Sequence, residues 1–256
     1  MKITVLGSSG SEAPGQNPPG FLVDDFLLMD AGTVSLSLDM EAQCKITHIF
    51  LTHSHLDHIK AIPFLVNNIV ASREGCSLLI LSSRQVIADL RRNIFNNRIW
   101  PDFTLIPTPA NPSLRYQPIS TREVLDIRGY RIQATRVNHG TVPAYGYILE
   151  NSAGDTVVYT GDTGPTDRIW RRTRGRRIGC LIVEVSFPDE MADLALASGH
   201  LTPALLSKEL KKMAQIPERI LITHLKPYHR GAIEEQLMAL QDVRVEILSD
   251  GACIHV

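Results

Sequence analysis

Short apolar runs rich in β-branched residues recur along the chain, bounded by Gly, Pro, Asn and Asp. They predict strands near residues 2–6, 21–23, 26–30, 46–51, 78–81, 130–137, 145–149, 156–160, 180–185, 219–223, 243–247 and 252–255. A helical period occupies residues 59–70, 85–95, 203–215 and 232–240. The third helix opens with Thr202 as N-cap and Pro203 at its first position. Two strands end alike, Ile49-Phe50-Leu51-Thr52-His53 and Ile220-Leu221-Ile222-Thr223-His224. Each delivers a histidine where a buried strand meets a loop, which suggests two strand-rich lobes facing each other. Residues 96–123 have little periodicity and contain Pro101, Pro107, Pro109, Pro112 and Pro118. They predict a long loop or cap, drawn at about residues 84–123, within one domain spanning 1–256.

Composition narrows the class. Hydrophobic residues make up 44% of the 256 and charged residues 21%, as in an ordinary globular protein. A chain this long can bury about 70–75% of its unfolded surface, so it needs no staples. A net charge of -1 gives no global pull towards nucleic acid or anionic lipid. Cys44, Cys76, Cys180 and Cys253 are scattered without a CxxC pair, and are read as free thiols in a reduced compartment. The N-terminus has no apolar signal-peptide core, and no stretch of 18 apolar residues occurs. These features predict a cytoplasmic protein with no membrane span.

The chemistry concentrates in Thr52-His53-Ser54-His55-Leu56-Asp57-His58. Three imidazoles and a carboxylate directly after a buried strand would cost a few kcal/mol each to desolvate without a partner. A metal resolves that cost, because neutral imidazole and carboxylate are common ligands for it. His53 and His55 lie on one face of an extended segment and can converge on one ion, while Asp57 and His58 can reach a second. His139, Asp162 and His224 follow other predicted strands. Together they supply what the first motif lacks: a third ligand for one ion, a bridging carboxylate, and another imidazole for the second.

HxHxDH followed by a distant His, an Asp and a final His resembles the metallo-β-lactamase superfamily. The resemblance implies an α/β fold, an αββα sandwich with a small cap insertion and a dinuclear site. It implies that His53, His55 and His139 hold one metal and Asp57, His58 and His224 the other, with Asp162 bridging. Phe26-Leu27-Leu28-Met29-Asp30-Ala31-Gly32 resembles the family strand that ends in an acidic residue, placing Asp30 in a supporting role. Glu184-Val185-Ser186-Phe187-Pro188 and Ser198-Gly199-His200-Leu201-Thr202-Pro203 are similar to paired motifs of the phosphodiesterase branch, in which a Glu orients a His that protonates the leaving oxygen. His53–Ile59, the cap residues Ile94-Phe95-Asn96 and Ile99-Trp100-Pro101-Asp102, and Thr223-His224-Leu225-Lys226-Pro227 resemble the class II 3′,5′-cyclic-nucleotide phosphodiesterases. Ala61 and Pro63 depart from that signature.

The resemblance therefore implies a metal-dependent phosphodiesterase with two divalent ions, zinc first and manganese or iron as alternatives. Its substrate would be a small phosphodiester, 3′,5′-cyclic AMP foremost, opened to the 5′-monophosphate by water activated between the ions. His200 would be the general acid, held by Glu184, and Asp57 is counted with the catalytic residues as well as the ligands. An RNA-processing nuclease of the tRNA 3′-end type, or another small-molecule ester hydrolase, is the alternative. Relatives of this branch are often dimers, so the resemblance leaves a homodimer open, while the sequence itself does not give the oligomeric state.

Arg168, Arg171, Arg172, Arg174, Arg176 and Arg177 invite a nucleic-acid reading. No aromatic platform interleaves them, so a solvated helix face is expected and nucleic acid is disfavoured as a partner. Trp100 and Phe103 form either a stacking wall or the cap's own core. Lys226 is read as solvated, and His48, His229 and His255 have no role.

Overall fold

Alternation along each long apolar run sends its side chains to two different cores, and both are buried. In the strand Leu27–Met29, Leu27 and Met29 face one core and Leu28 the other. The strand His48–Phe50 repeats this with Phe50 against Ile49, and Arg219–Thr223 with Leu221 against Ile220 and Ile222. Strands covered on both faces read as continuous hydrophobic runs, as parallel sheets require. The computed structural model describes residues 1–72, 77–240 and 244–256. Cys76 and Val243 lie outside the described residues.

Two seven-stranded sheets result. One runs in the order Cys253–His255, Lys2–Gly7, Gly20–Val23, Leu27–Met29, His48–Phe50, Leu78–Ser82, Leu114–Pro118, and is parallel from Leu27–Met29 onward. The other runs Glu246–Ile247, Arg219–Thr223, Cys180–Glu184, Thr156–Tyr159, Val142–Glu150, Tyr130–His139, Leu125–Ile127, and is parallel over its first four. Val5, Phe21, Phe50, Tyr147, Tyr159, Ile182 and Leu221 fill the space between the sheets. Helices Ile62–Ser72 and Arg84–Asn93 cover the outer face of the first sheet through Ile62, Leu65, Val66, Ile69, Val86 and Leu90. Helices Arg168–Arg172, Ala192–Ser198, Pro203–Leu210 and Arg230–Met238 cover the second through Trp170, Ala195, Leu206, Leu210, Ile233 and Leu237. This is the expected αββα sandwich, and the two echoing histidine strands lie in opposite sheets.

Local differences have local causes. The helix expected over residues 59–70 is two, Leu56–Ile59 and Ile62–Ser72. The break falls where Ala31 intrudes: its N–H donates to His58 O at 2.7 Å and its carbonyl accepts from Ala61 N at 2.9 Å. Thr202 caps its helix as expected, accepting from Leu205 N at 3.4 Å. Residues 84–123, expected as a cap or long loop, contain the helix Arg84–Asn93, a small hairpin of Pro107–Thr108 and Asn111–Pro112, and the edge strand Leu114–Pro118. Phe103 is buried 6.4 Å from Phe95, and Trp100 packs 5.4 Å from Phe64, so both serve the core around this segment. Among the described residues, no helix is long and apolar enough to cross a membrane. Among the described residues, Cys44, Cys180 and Cys253 form no disulfide.

Candidate metal centre

The C-terminal ends of the central strands meet at one edge of the sandwich, and the polar residues predicted above stand there. His53 follows His48–Phe50, His139 ends Tyr130–His139, Asp162 follows Thr156–Tyr159, Glu184 ends Cys180–Glu184, and His224 follows Arg219–Thr223. His55 precedes the helix Leu56–Ile59, whose first turns present Asp57 and His58. Local backbone geometry fixes the aim of two of them. His224 has a left-handed φ of 68° and is met closely by Gly10, where a Cβ would stand 2.3 Å from His224 O. Gly199, at φ 73°, lets its own backbone pass His139 at a distance no side chain would permit.

All seven predicted ligands converge. The ligand atoms of His53, His55, His139 and Asp162 lie within 4.8 Å of one another, and so do those of Asp57, His58 and His224. His55 Nδ1 and His139 Nε2 are 3.2 Å apart, aimed at common space. Asp162 Oδ2 belongs to both groups: it lies 3.7 Å from His53 Nε2, 3.3 Å from His58 Nε2 and 3.2 Å from His224 Nε2. Asp57 Oδ2 stands 3.4 Å from His224 Nε2 and 4.0 Å from His58 Nε2. His53, His58, His139, Asp162 and His224 are buried, whereas His55 is exposed and Asp57 partly so, which leaves the centre open on that side.

A second set of hydrogen bonds fixes which ring nitrogen four of the five histidines offer, His55 being the exception. Asp30 Oδ2 accepts from His58 Nδ1 at 2.8 Å. Thr52 Oγ1 donates to Asp30 and accepts from His53 Nδ1 at 3.0 Å. Gly199 O accepts from His139 Nδ1 at 2.9 Å, and Ser186 Oγ, which donates to Glu184 Oε2, accepts from His224 Nδ1 at 2.8 Å. In each case the Nε2 lone pair is left pointing into the centre. His53 Nε2 and His58 Nε2 have no hydrogen-bond partner although both are buried. Orphaned buried nitrogens are costly, and a divalent cation satisfies them together with the carboxylates. The donor set of five imidazoles and two carboxylates fits such ions.

The electrostatics agree. Burial pushes His53 well below the usual histidine range, and it lowers His55 and His139 as well, so these three present lone pairs at neutral pH. Burial opposes charge on Asp162, but His224 and His58 outweigh it and hold the carboxyl well below its ordinary value. Asp57 is held low in the same way, burial being overcome by the His224 hydrogen bond and the charge of His58. On His58, burial is outweighed by Asp162 and Asp30, which raise it well above the usual range. The centre attracts positive charge, and a proton on His58 is the simplest cation it can take.

Glu184 and His200 stand beside the second group. Glu184 is fully buried; its Oε1 accepts from His200 Nδ1 at 2.7 Å and from Thr163 N at 3.1 Å. The His200 ring stacks on His224 at 5.4 Å with a 17° tilt. Burial works against a proton on His200, and Glu184 more than restores it. Lys226, expected to be solvated, is instead half-buried with Nζ donating to Gly10 O at 2.5 Å. Thr52, Ser186, Tyr159 and the Gly199 carbonyl were not singled out from the sequence as supporting groups. Ser186 lies inside a quoted motif and Thr52 directly before His53, which is the one signal that could have found them.

The family described as "Beta-lactamase superfamily domain" matches residues 28–225, a span that includes all seven candidate ligands, Glu184 and His200. A "Probable 3′,5′-cyclic-nucleotide phosphodiesterase" of Yersinia pestis is 31% identical over 229 residues, 80% of this chain and 62% of that protein. The chain thus spans about three fifths of that relative's length, 62%. A "Ribonuclease Z" of Archaeoglobus fulgidus is 25% identical over 281 residues, 88% of this chain and 87% of that protein. The structure of unliganded yeast PDE1 superposes with a TM-score of 0.83 at 20% identity, covering 100% of this chain and 99% of that one, and shares its fold.

Proposed function

The chain belongs to the β-lactamase superfamily, and from that membership we propose that it is a two-metal phosphodiesterase that opens a 3′,5′-cyclic nucleotide to the 5′-monophosphate. The observation that carries this reading is Asp162 Oδ2, which lies within 3.7 Å of imidazoles from both ligand groups. His53, His55 and His139 would hold one ion, Asp57, His58 and His224 the other, and Asp162 both. Five imidazoles against two carboxylates favour zinc over magnesium or calcium. Bound there, two divalent ions supply an acidified water and offset charge on phosphoryl oxygens.

The rest of the chemistry belongs to the chain's own residues. Asp30, Thr52, Ser186 and the Gly199 carbonyl keep protons on the Nδ1 atoms, so that the Nε2 atoms stay free for ligation. An alkoxide leaving group needs a proton, and His200 is placed to give one. Its Nδ1–H is occupied by Glu184 at 2.7 Å, so the transferable proton sits on Nε2. Glu184 raises the affinity of the ring for that proton, which the leaving oxygen would take. The open side at His55 and Asp57 is where a small diester would enter.

The name of the Yersinia pestis relative supports the cyclic-nucleotide substrate, and that of the Archaeoglobus fulgidus relative supports a second reading, RNA cleavage. Incubation of metal-loaded protein with 3′,5′-cyclic AMP, a tRNA precursor and bis-p-nitrophenyl phosphate separates them. Turnover of cyclic AMP to 5′-AMP is expected. Cleavage of the activated diester with cyclic AMP untouched would remove the cyclic-nucleotide assignment, and processing of the precursor would favour the nuclease.

A further inference from the structure

The arginine run of residues 168–177 divides in the fold. Arg176 is paired with Glu150 at 3.3 Å and Arg177 with Glu218, so both are already neutralised. Arg168, Arg171 and Arg172 lie on the helix Arg168–Arg172, which is anchored by buried Ile169 and Trp170 and packs against Tyr130–His139. There they meet Arg136 from the strand, and with Thr121 and Thr135 the four arginines line an open surface cavity of about 550 Å³. No acidic side chain lines it. Among the described residues, none of these four arginines forms an ion pair within 4.0 Å of a carboxylate, the arginine ion pairs being those of Arg131, Arg176, Arg177, Arg219 and Arg230. The adjacent Asp167 pairs with Lys212 at 2.9 Å, and the charge of Arg171 acts on it more weakly. Arg172 is steadied by donating from Nη2 to Thr121 O at 2.6 Å.

We infer that this cavity binds a compact oligophosphate anion, of the inorganic triphosphate or nucleoside polyphosphate kind. Four guanidinium groups gathered in one concavity repel one another, and a polyanion removes that repulsion. Their planar forks match phosphate oxygens two at a time. A volume of about 550 Å³ is enough for a compact anion. No aromatic ring lines it, so a nucleobase has nothing to stack on and recognition falls on the phosphates. None of the seven metal-centre ligands lines the cavity, and Arg136 stands three residues before His139 on one strand, about 10 Å away at ~3.3 Å per residue. The inference does not rest on the cyclic-nucleotide reading.

Calorimetric titration of the metal-loaded protein with sodium triphosphate tests it, with metal content measured before and after to account for chelation. Wild-type protein is expected to bind the anion, and the double substitution Arg168→Ser, Arg171→Ser to weaken it by roughly tenfold or more. Both side chains are exposed, so the variant should keep its melting temperature and its hydrolysis of bis-p-nitrophenyl phosphate. Equal binding by wild type and variant would place the anion elsewhere and overturn the assignment, as would absence of binding to wild type. A short single-stranded oligothymidylate forms the other arm. Its binding through these arginines, with no binding of triphosphate, would overturn the compact anion in favour of a nucleic-acid strand.

Discussion

Replacing Asp30 by Asn alters one atom of the carboxylate that carries the most hydrogen bonds beneath the centre. Asp30 is fully buried. Its Oδ1 accepts from Thr52 N at 2.8 Å, and its Oδ2 accepts from Tyr159 OH at 2.7 Å and His58 Nδ1 at 2.8 Å. In Asp30→Asn the amide oxygen can keep Thr52, but its NH₂ then faces His58 Nδ1. Two donors cannot meet, so His58 must move its proton to Nε2, the atom 3.3 Å from Asp162, and its lone pair is lost to a metal. Loss of such a supporting partner costs about 10–100-fold in metal affinity. The fold should survive, since one mispaired group costs about 1–3 kcal/mol against a total of roughly 5–15. Asp30→Ala is a harsher change: Thr52, Tyr159 and His58 would all lose an acceptor, about 3–9 kcal/mol together, which reaches the whole stability. Competition with a chromophoric chelator measures the affinity, and ¹⁵N spectra of His58 report the tautomer. Wild-type affinity with the proton still on Nδ1 in Asp30→Asn would refute the reasoning.

Other outcomes follow from the same geometry. His200→Ala should retain metal while slowing cyclic AMP about 10²–10⁴-fold and p-nitrophenyl diesters far less, since p-nitrophenolate needs little protonation; equal slowing would exclude His200 as the acid. Gly199→Ala would bring a Cβ to 2.3 Å from Gly140 N at a left-handed φ, and should lower denaturant stability by more than about 2 kcal/mol. Gly231→Ala, in the helix Arg230–Met238 with nothing within 4 Å, should instead raise it by about 0.5–1 kcal/mol, a contrast that chemical denaturation reads directly. Burial pushes the Cys180 thiol up to about 12, so iodoacetamide at pH 8 should label exposed Cys253 and spare Cys180 until the protein unfolds, as peptide mass mapping will show.

The sandwich was legible because strands covered on both faces leave unbroken apolar runs, and the metal centre because seven ionisable residues cluster where those runs stop. What escaped reading had no such contrast. Leu114–Pro118 alternates with Arg115 and Gln117 and ends in proline, which reads as loop but is permitted on the sheet edge it occupies. The helix break at Lys60 depends on Ala31, a residue from another strand's end, so no local pattern announces it. Ser186 and Thr52 act through a single hydroxyl each, and a lone hydroxyl near a strand end is common in any chain. Lys226 reads as solvated because its acceptor, the Gly10 carbonyl, is 216 residues away in sequence.

Metal content per chain, measured by mass spectrometry on saturated and then desalted protein, tests the central claim most directly when wild type and Asp162→Ala are compared. Because Asp162 Oδ2 serves both groups of imidazoles, wild type should hold two ions and Asp162→Ala fewer than one. A single ion in wild type that persists in Asp162→Ala would contradict the account.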